Sequence, residues 1–181
     1  MRTTADLASP VTVTHVTLPS PIGQLTLVAK AGQLTGLFMD EQRHRPVSET
    51  FGVAGDPGDE PFASAARQLD AYFAGDLMAF DLPLAPAGTD FQRRVWSALL
   101  TIPYGQTWSY GELARRVGSA SRAVGLANGK NPIALVIPCH RVIGSDGSLT
   151  GYGGGLDRKR YLLELEAQPS RSDEQPVTPG S

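Results

Sequence analysis

The stretch Ile133-Ala134-Leu135-Val136-Ile137-Pro138-Cys139-His140-Arg141-Val142 runs from an apolar segment into the one cysteine of this 181-residue chain. The ring of Pro138 fixes the backbone that enters Cys139, and His140 and Arg141 bring potential positive charge beside the thiol. A lone cysteine is more often a small buried hydrophobe. However, a thiol with a reference pKa of about 8.5 needs such neighbours to ionise at neutral pH. The pattern therefore favours a nucleophile, whose soft thiolate suits attack on a saturated carbon.

The segment before this stretch has the pattern of several short helices. Two residue pairs have the spacing of a helix capping box, Thr89 with Gln92 and Ser109 with Glu112. Ser119 or Ser121 can cap a further helix of roughly residues 122–128, which Gly129 stops. Two short helices joined by a glycine-containing turn are typical of a helix-turn-helix.

The segment after it contains a glycine-rich loop, residues 151–155, in which Tyr152 is the one bulky side chain. Such a loop is either a mobile turn or a wall where backbone N–H groups approach a flat substrate closely. A final helix is predicted from Asp157 to about Ala167. Residues 168–181 are polar with three prolines and are predicted to form a disordered tail.

The N-terminal half has the pattern of strands followed by one helix. Alternating residues predict a strand over Val11–Val16, and Leu25–Lys30 and Gln33–Met39 are predicted to form a hairpin around Ala31-Gly32. Residues 41–60 are predicted to be a loop, and Pro61 opens a helix that Gly75 closes. We therefore predict an α+β chain. Residues 1–86 form a small domain with an antiparallel sheet, and residues 87–167 form a mostly helical domain that contains the helix-turn-helix and the reactive cysteine.

Composition narrows the class of protein. With 41% hydrophobic and 19% charged residues the chain is typical of a globular protein, and no apolar run approaches the roughly 20 residues that span a bilayer. One cysteine and the absence of a signal-like start favour a reducing cytoplasm. One cysteine and three widely spaced histidines give no metal-ligand cluster, and no cofactor is expected.

Charge is unevenly distributed along the chain. The formal net charge is −2, but residues 89–166 carry ten Lys/Arg against six Asp/Glu, a net of +4. Either this is an ordinary solvated surface, or one face is basic enough to meet a phosphate backbone. The small residues Ala123 and Gly125 after Arg122 also have two interpretations. They permit close packing against another helix, or they let this helix press into a nucleic-acid groove with Arg122 projecting.

The pentapeptide Pro138–Val142 resembles the signature of the O6-alkylguanine-DNA alkyltransferases, also called methylated-DNA–protein-cysteine methyltransferases. The likeness extends to Gly88–Gln92, Ile102–Gly105, Ser109-Tyr110, Arg122–Gly125, Asn131-Pro132 and Gly154–Leu156. It covers roughly residues 88–167 and is weaker in the N-terminal strands and in Tyr72-Phe73-Ala74-Gly75. The resemblance implies direct repair of duplex DNA in a single turnover, with the alkyl group of O6-alkylguanine transferred to Cys139. Transfer from O4-alkylthymine and cooperative binding along DNA are left open, and a monomer is expected.

The resemblance also implies roles for the residues that match. Cys139 would be the alkyl acceptor, and His140 its base through one water. Glu166 would orient His140, although an exposed helical glutamate is the commoner case. Asn131 would hold the turn before the cysteine, and Tyr110 would donate a hydrogen bond to N3 of the departing guanine.

Further positions would contact DNA or line the pocket. Arg122 would fill the gap left by a rotated-out nucleotide, on a helix face whose other DNA-contacting residues are Ala123, Gly125 and Asn128. The pocket would be lined by Tyr110, Pro138, Tyr152 and Gly153, with the carbonyls of Cys139 and Val142 accepting from the guanine amine. Some family members carry a serine at the position of Gly153, so here only a backbone N–H could reach O6.

Three other classes fit parts of the pattern. A cysteine hydrolase needs a cysteine and a histidine, but these normally come from separated positions and would turn over many times. A helix-turn-helix regulator would bind undamaged DNA as a dimer, and no dimerisation segment is visible. A redox-sensing cysteine would react with peroxide.

Overall fold

The computed structural model describes residues 10–169 and begins with a four-stranded sheet. Its strands are β1 (Val13–Leu18), β2 (Leu25–Lys30), β3 (Gln33–Met39) and β4 (Val53–Ala54), in the order β3-β2-β1-β4. The first three pair antiparallel, whereas β4 lies parallel to β1. The hairpin between β2 and β3 turns at Ala31 and Gly32, with φ of 52° and 74°. Positive φ at both positions is what a two-residue hairpin loop of this twist requires.

The predicted loop over residues 41–60 is partly wrong, because this segment contains a 3-10 turn, Ser48–Phe51, as well as β4. Phe51 is buried against Val28 and Phe38 on the face of the sheet that points away from the main core. The packing of one aromatic ring orders the turn. Because the residues around Phe51 are mostly polar, composition alone predicts a loop here. The first strand also begins two residues later than its alternating pattern predicts.

Five α-helices make up most of the remaining regular secondary structure of residues 10–169. They are α1 (Phe62–Phe73), α2 (Asp90–Leu99), α3 (Tyr110–Val117), α4 (Ser121–Gly129) and α5 (Leu156–Ala167). Helices α3 and α4 form the helix-turn-helix around Gly118, whose φ of 68° permits the tight turn. Two short strands, β5 (Trp108–Ser109) and β6 (Val142–Ile143), pair parallel beside it. The predicted α+β class is confirmed, with a small sheet unit followed by a helical unit.

The predicted N-cap residue is found at two of three sites, and one of the two is a complete capping box. Thr89 Oγ1 accepts from the Gln92 N–H at 3.1 Å, and Gln92 Oε1 accepts from the Thr89 N–H at 3.0 Å, a complete capping box. Ser109 caps α3, but the Glu112 side chain pairs with Arg116 instead. The predicted cap of α4 is wrong. Ala120 occupies its N-cap, and neither nearby serine bonds its first turn.

The apolar run 133–137 connects the two halves. It is buried in one continuous core with the sheet and helices, and it lies against β3, where the Leu37 N–H donates to the Pro132 carbonyl at 2.9 Å. Arg158 on α5 adds a second tie by donating to the carbonyls of Ile22 and Asp40 at 2.8 and 2.7 Å. The reactive segment is therefore held from both sides. Of the predicted tail, residues 170–181 lie outside the described residues.

Replacing Thr89 with alanine should lower the free energy of unfolding by about 1 kcal/mol, because the capping bond to the N–H of Gln92 is lost. Ser121→Ala is the matched control, since no side chain caps α4. Urea denaturation of both variants measures the effect. Equal losses in the two variants would contradict this assignment of the caps.

Candidate active site

Cys139 opens a 3-10 turn, Cys139–Arg141, between the buried run and β6, and only 6% of its surface is exposed. Burial raises the pKa of the Cys139 thiol, while the Asn131 amide and the Lys159 ammonium oppose that rise. The positive charge expected from the next two residues is directed elsewhere, because both side chains turn away to Glu166. Nearby cationic stabilisation of the thiolate comes from α5 instead.

His140 and Glu166 form a buried pair. The His140 Nε2 lies 2.7 Å from Glu166 Oε1, and neither side chain is more than 1% exposed. Burial lowers the pKa of His140 despite the carboxylate beside it, which keeps the ring neutral. With Nε2–H donating to Glu166, the lone pair of the imidazole is on Nδ1. That atom is buried and has no hydrogen-bond partner within residues 10–169, so it can accept a proton.

The Glu166 carboxylate gathers donors from distant parts of the chain. Arg141 donates through Nε and Nη2 at 2.8 and 2.9 Å, and the Tyr72 hydroxyl donates from α1 at 2.7 Å. Burial alone would raise the pKa of Glu166, but the hydrogen bonds from His140 and Arg141 hold it at about 2. An exposed helical glutamate is therefore the wrong description of this residue. Sequence reasoning missed Tyr72, for which the weak likeness of the segment 72–75 was the one available signal.

Lys159 is a second residue that sequence reasoning missed. Its ammonium is buried beside the cysteine and donates to the carbonyls of Val142 and Thr150 at 2.5 and 3.0 Å. Burial lowers the pKa of Lys159 to about 8, which leaves it mostly charged at neutral pH. Lys159, Leu162 and Glu166 lie on one face of α5 by their spacing. In the sequence, Lys159 and Glu166 occupy the same helical face as the apolar Leu162. Charged residues on an otherwise apolar face were the signal that could have revealed both.

Two asparagines support the cysteine backbone. The Asn131 amide donates to the Ile137 carbonyl at 2.7 Å, and its oxygen accepts from the Ile133 N–H at 3.0 Å, which closes the turn before Cys139. Asn128, predicted to contact DNA, is instead buried, and its amide lies 3.4 Å from the Cys139 carbonyl. Because α4 turns this position inward here, a contact between Asn128 and DNA stays a prediction.

Two adjoining cavities meet at the glycine-rich loop. The inner one, about 20 Å³, is lined by Cys139, Asn131 and Tyr152 among others and has room for about one water. The outer one, about 320 Å³, is lined by residues that include Tyr110, Gly125 and Tyr152. Gly151–Gly153 line both. A purine can reach the thiol only if this loop moves.

The predicted pocket residues are in different situations. The Tyr110 hydroxyl donates to the Thr150 carbonyl at 3.1 Å, so this donor is already engaged. Pro138 lines a separate cavity beside Tyr104, and its place in the substrate pocket stays a prediction. The Gly153 carbonyl accepts from the Arg43 N–H at 2.7 Å, and a Cβ at Gly153 would meet only ordinary contacts.

The outer face of α4 carries the predicted DNA-binding residues. Arg122 is exposed at its start and has no ion-pair or hydrogen-bond partner in the described part of the chain, whereas Ala123 and Gly125 are half-buried. Among residues 10–169, no helix is both long and apolar enough to cross a bilayer, and no cluster of three metal-binding side chains occurs.

The chain is similar over most of its length to proteins of one family. The family described as 6-O-methylguanine DNA methyltransferase matches twice, through its ribonuclease-like domain over residues 13–86 and its DNA-binding domain over residues 90–168. The methylated-DNA–protein-cysteine methyltransferase of Mycobacterium bovis is 58% identical over 159 residues, which cover 87% of this chain and 94% of that protein. The protein of that name from Methanosarcina acetivorans is 52% identical, covering 81% and 94%.

Solved structures agree with this similarity. Mycobacterium tuberculosis OGT in complex with DNA is 58% identical and has a TM-score of 0.77, covering 85% of this chain and 92% of that one. An O6-methylguanine DNA methyltransferase from Methanococcus jannaschii is 28% identical with a TM-score of 0.63, covering 85% and 94%.

Protonation of Glu166 should destabilise the fold in acid. Its pKa is about 2 in the folded protein against 4.5 ordinarily, so its contribution is complete above pH 4.5 and is lost as the pH falls toward 2. The difference corresponds to about 3 kcal/mol. Denaturation measured between about pH 5 and pH 3 should show this fall, and Glu166→Gln should flatten it. The exposed Glu164→Gln is the control, and a Glu166→Gln profile as steep as that of the parent would argue against the network.

Proposed function

We propose that this chain, which belongs to the 6-O-methylguanine DNA methyltransferase family, moves the alkyl group of O6-alkylguanine in duplex DNA irreversibly onto Cys139. The chain is a methylated-DNA–protein-cysteine methyltransferase, a DNA repair enzyme whose partner is DNA. The residues that perform the transfer are the substance of the proposal. The observation that carries it is the buried His140, which directly follows Cys139 in the chain, is held by Glu166 through Nε2 and keeps Nδ1 without a partner among residues 10–169.

Activation of the thiol begins with loss of its proton. The Cys139 proton passes through one water to His140 Nδ1, a buried nitrogen without a hydrogen-bond partner among residues 10–169. The imidazolium that forms is stabilised by the Glu166 carboxylate, which stays ionised because its pKa is far below neutral. The Lys159 ammonium offsets part of the cost of a buried thiolate. The Cys139 thiolate is therefore favoured only when the His140 and Glu166 pair is in place to accept the proton.

The transfer itself is one displacement. The Cys139 Sγ attacks the alkyl carbon, an S–C bond forms, and the C–O6 bond breaks with its electron pair passing to the purine. Negative charge that develops on the purine is stabilised at N3 by the Tyr110 hydroxyl, a donor directed at charge that the ground state lacks. For this the hydroxyl exchanges the Thr150 carbonyl for the base. The guanine anion takes up one proton from water and His140 returns the thiol proton to water, so the protons balance.

Access requires the damaged nucleotide to leave the stack, at a cost of a few kcal/mol. Arg122 projects from the exposed start of α4 and would occupy the vacated space. The glycine-rich loop moves to admit the base, because the inner cavity holds only about one water. DNA binding and base entry are thus coupled through α4 and the loop.

One turnover follows from the product. A thioether is a poor substrate for displacement at neutral pH, because the group that would leave is a thiolate, and the sequence contains no second cysteine to accept the alkyl group. A reducing compartment, such as the cytoplasm that the sequence predicts, would keep the thiol free before reaction. A hydrolase with the same dyad would release many product equivalents, which separates the two classes.

Cys139→Ser should abolish transfer while leaving DNA binding intact, because a serine hydroxyl is harder to ionise than a thiol and is a far weaker nucleophile toward a saturated carbon. Mass spectrometry after incubation with O6-methylguanine duplex should find one methyl group on the Cys139 peptide of the parent protein and none on the variant. Retained stoichiometric transfer by the variant, or more than one product equivalent per parent molecule, would refute the proposal.

Arg122→Ala should slow repair of duplex DNA more than reaction with a free O6-alkylguanine base, because only the duplex needs the gap to be filled. Single-turnover rates with the two substrates measure the difference. Arg67→Ala on α1 serves as control, since Arg67 pairs with Glu60 on the surface. Equal losses on both substrates would rule out an intercalating role.

A further inference from the structure

The mouth of the outer cavity is lined by basic side chains from two separate parts of the chain. Arg43 and His44 come from the segment after β3, and Lys130 directly follows α4. All three are exposed, and no Asp or Glu lines this cavity. We call this group the basic rim. Its significance depends on the function proposed above, in which the damaged base passes the glycine-rich loop that lines this cavity.

The N-terminal part of the rim is fixed against the glycine-rich loop. The Arg43 N–H donates to the Gly153 carbonyl at 2.7 Å, and Gln42 Oε1 accepts from the Met39 N–H at 2.9 Å. His44 has a φ of 59°, which turns the segment sharply at the cavity mouth. The backbone therefore presents two consecutive basic side chains to the same opening that Tyr110 and Tyr152 line from the other side.

The three rim side chains lack counter-ions. None of them has an ion-pair or hydrogen-bond partner among residues 10–169, in contrast to Arg67, Arg93, Arg116 and Arg160, which pair with neighbouring carboxylates. Cations left without carboxylates around one cavity attract an anion to its mouth. The rest of the lining includes Tyr110, Leu126 and Tyr152, is largely apolar and suits a flat base.

We propose that the basic rim binds a phosphodiester that flanks the rotated-out nucleotide. A nucleotide that enters the cavity keeps a phosphodiester on each side, and neither anion can follow the base into the apolar interior without a large desolvation cost. They must lie at the mouth, where Arg43 and Lys130 supply charge and His44 supplies a ring N–H. Arg43 suits this task because a guanidinium binds phosphate oxygens through two parallel bonds.

This assignment gives the N-terminal unit a direct part in substrate binding. Arg43 and His44 belong to the segment between β3 and β4, outside the helix-turn-helix. The helix-turn-helix would hold the duplex, while the rim holds the backbone of the one nucleotide that has left it. The same Arg43 bears on the loop through Gly153, so phosphate binding and the position of the loop are mechanically linked.

The test compares Arg43→Ala, Lys130→Ala and the double variant on three substrates in single-turnover reactions. The substrates are duplex DNA with O6-methylguanine, the free O6-benzylguanine base, and duplexes with a neutral methylphosphonate in place of one phosphate beside the lesion. Each single variant should slow the reaction with normal duplex by on the order of tenfold, as expected for loss of a charge-assisted bond. The free base should react at the parent rate. Lys30→Ala, an exposed cation at the end of β2, is the control.

The methylphosphonate duplexes identify a bound phosphate. At the position that the rim contacts, the parent should slow to the rate of the variants, and the variants should lose nothing further. Arg43→Lys, which keeps the charge, should recover most of the duplex rate. The proposal that the rim binds a phosphate would be overturned if the variants slowed the reaction with the free base equally. It would also be overturned if their effect persisted on every methylphosphonate duplex. Failure of the parent to become methylated would instead refute the proposed function, so the two failures are distinguishable.

Discussion

The buried carboxylate of Glu166 is the interaction on which the active segment depends. A carboxylate removed from water is tolerated only when donors surround it, and here they come from Tyr72, His140 and Arg141. Two of these three directly follow Cys139. Solvating one charge therefore fixes both side chains after the nucleophile, and with them the backbone that presents the sulfur. The N-terminal unit takes part through Tyr72, which explains why the reactive segment lies in a core shared by both halves.

Helix α5 carries two opposite charges to this site on one face. Glu166 sets the tautomer of the imidazole, and Lys159 places a cation near the sulfur while holding the carbonyls of Val142 and Thr150. Separate residues therefore control where the proton goes and how stable the resulting anion is. Burial disfavours both the Cys139 thiolate and the Lys159 ammonium. In the proposed mechanism the thiol therefore stays protonated until a substrate and a water complete the pocket. Under the proposed single-turnover mechanism, this arrangement limits side reactions of the thiol.

Local signals were sufficient where the chain obeys a local rule. The Ala31-Gly32 hairpin, the Thr89 capping box and the helix-turn-helix follow from turn chemistry, cap spacing and the position of Gly118. Long-range packing decided the rest. Phe51 orders a segment that composition marks as a loop, and the burial of Lys159 and Asn128 depends on which face each helix turns inward. The pairing of His140 with Glu166 was expected from family resemblance, whereas the part played by Tyr72 was not visible in its neighbours.

The glycine-rich loop is attached unequally at its two ends. A Cβ at Gly154 would lie 2.7 Å from Met39 Sδ, so that end is packed directly on the sheet. At the other end, the Thr150 carbonyl is held by the side chains of Tyr110 and Lys159. The loop is thus a flap with its hinge at residue 154 and a latch at residue 150. Releasing the latch costs the two hydrogen bonds at Thr150, and moving residue 153 costs a third, from the Arg43 N–H to the Gly153 carbonyl. None of these bonds belongs to the packing at Gly154, so in the proposed mechanism the pocket opens without disturbing the fold around Cys139.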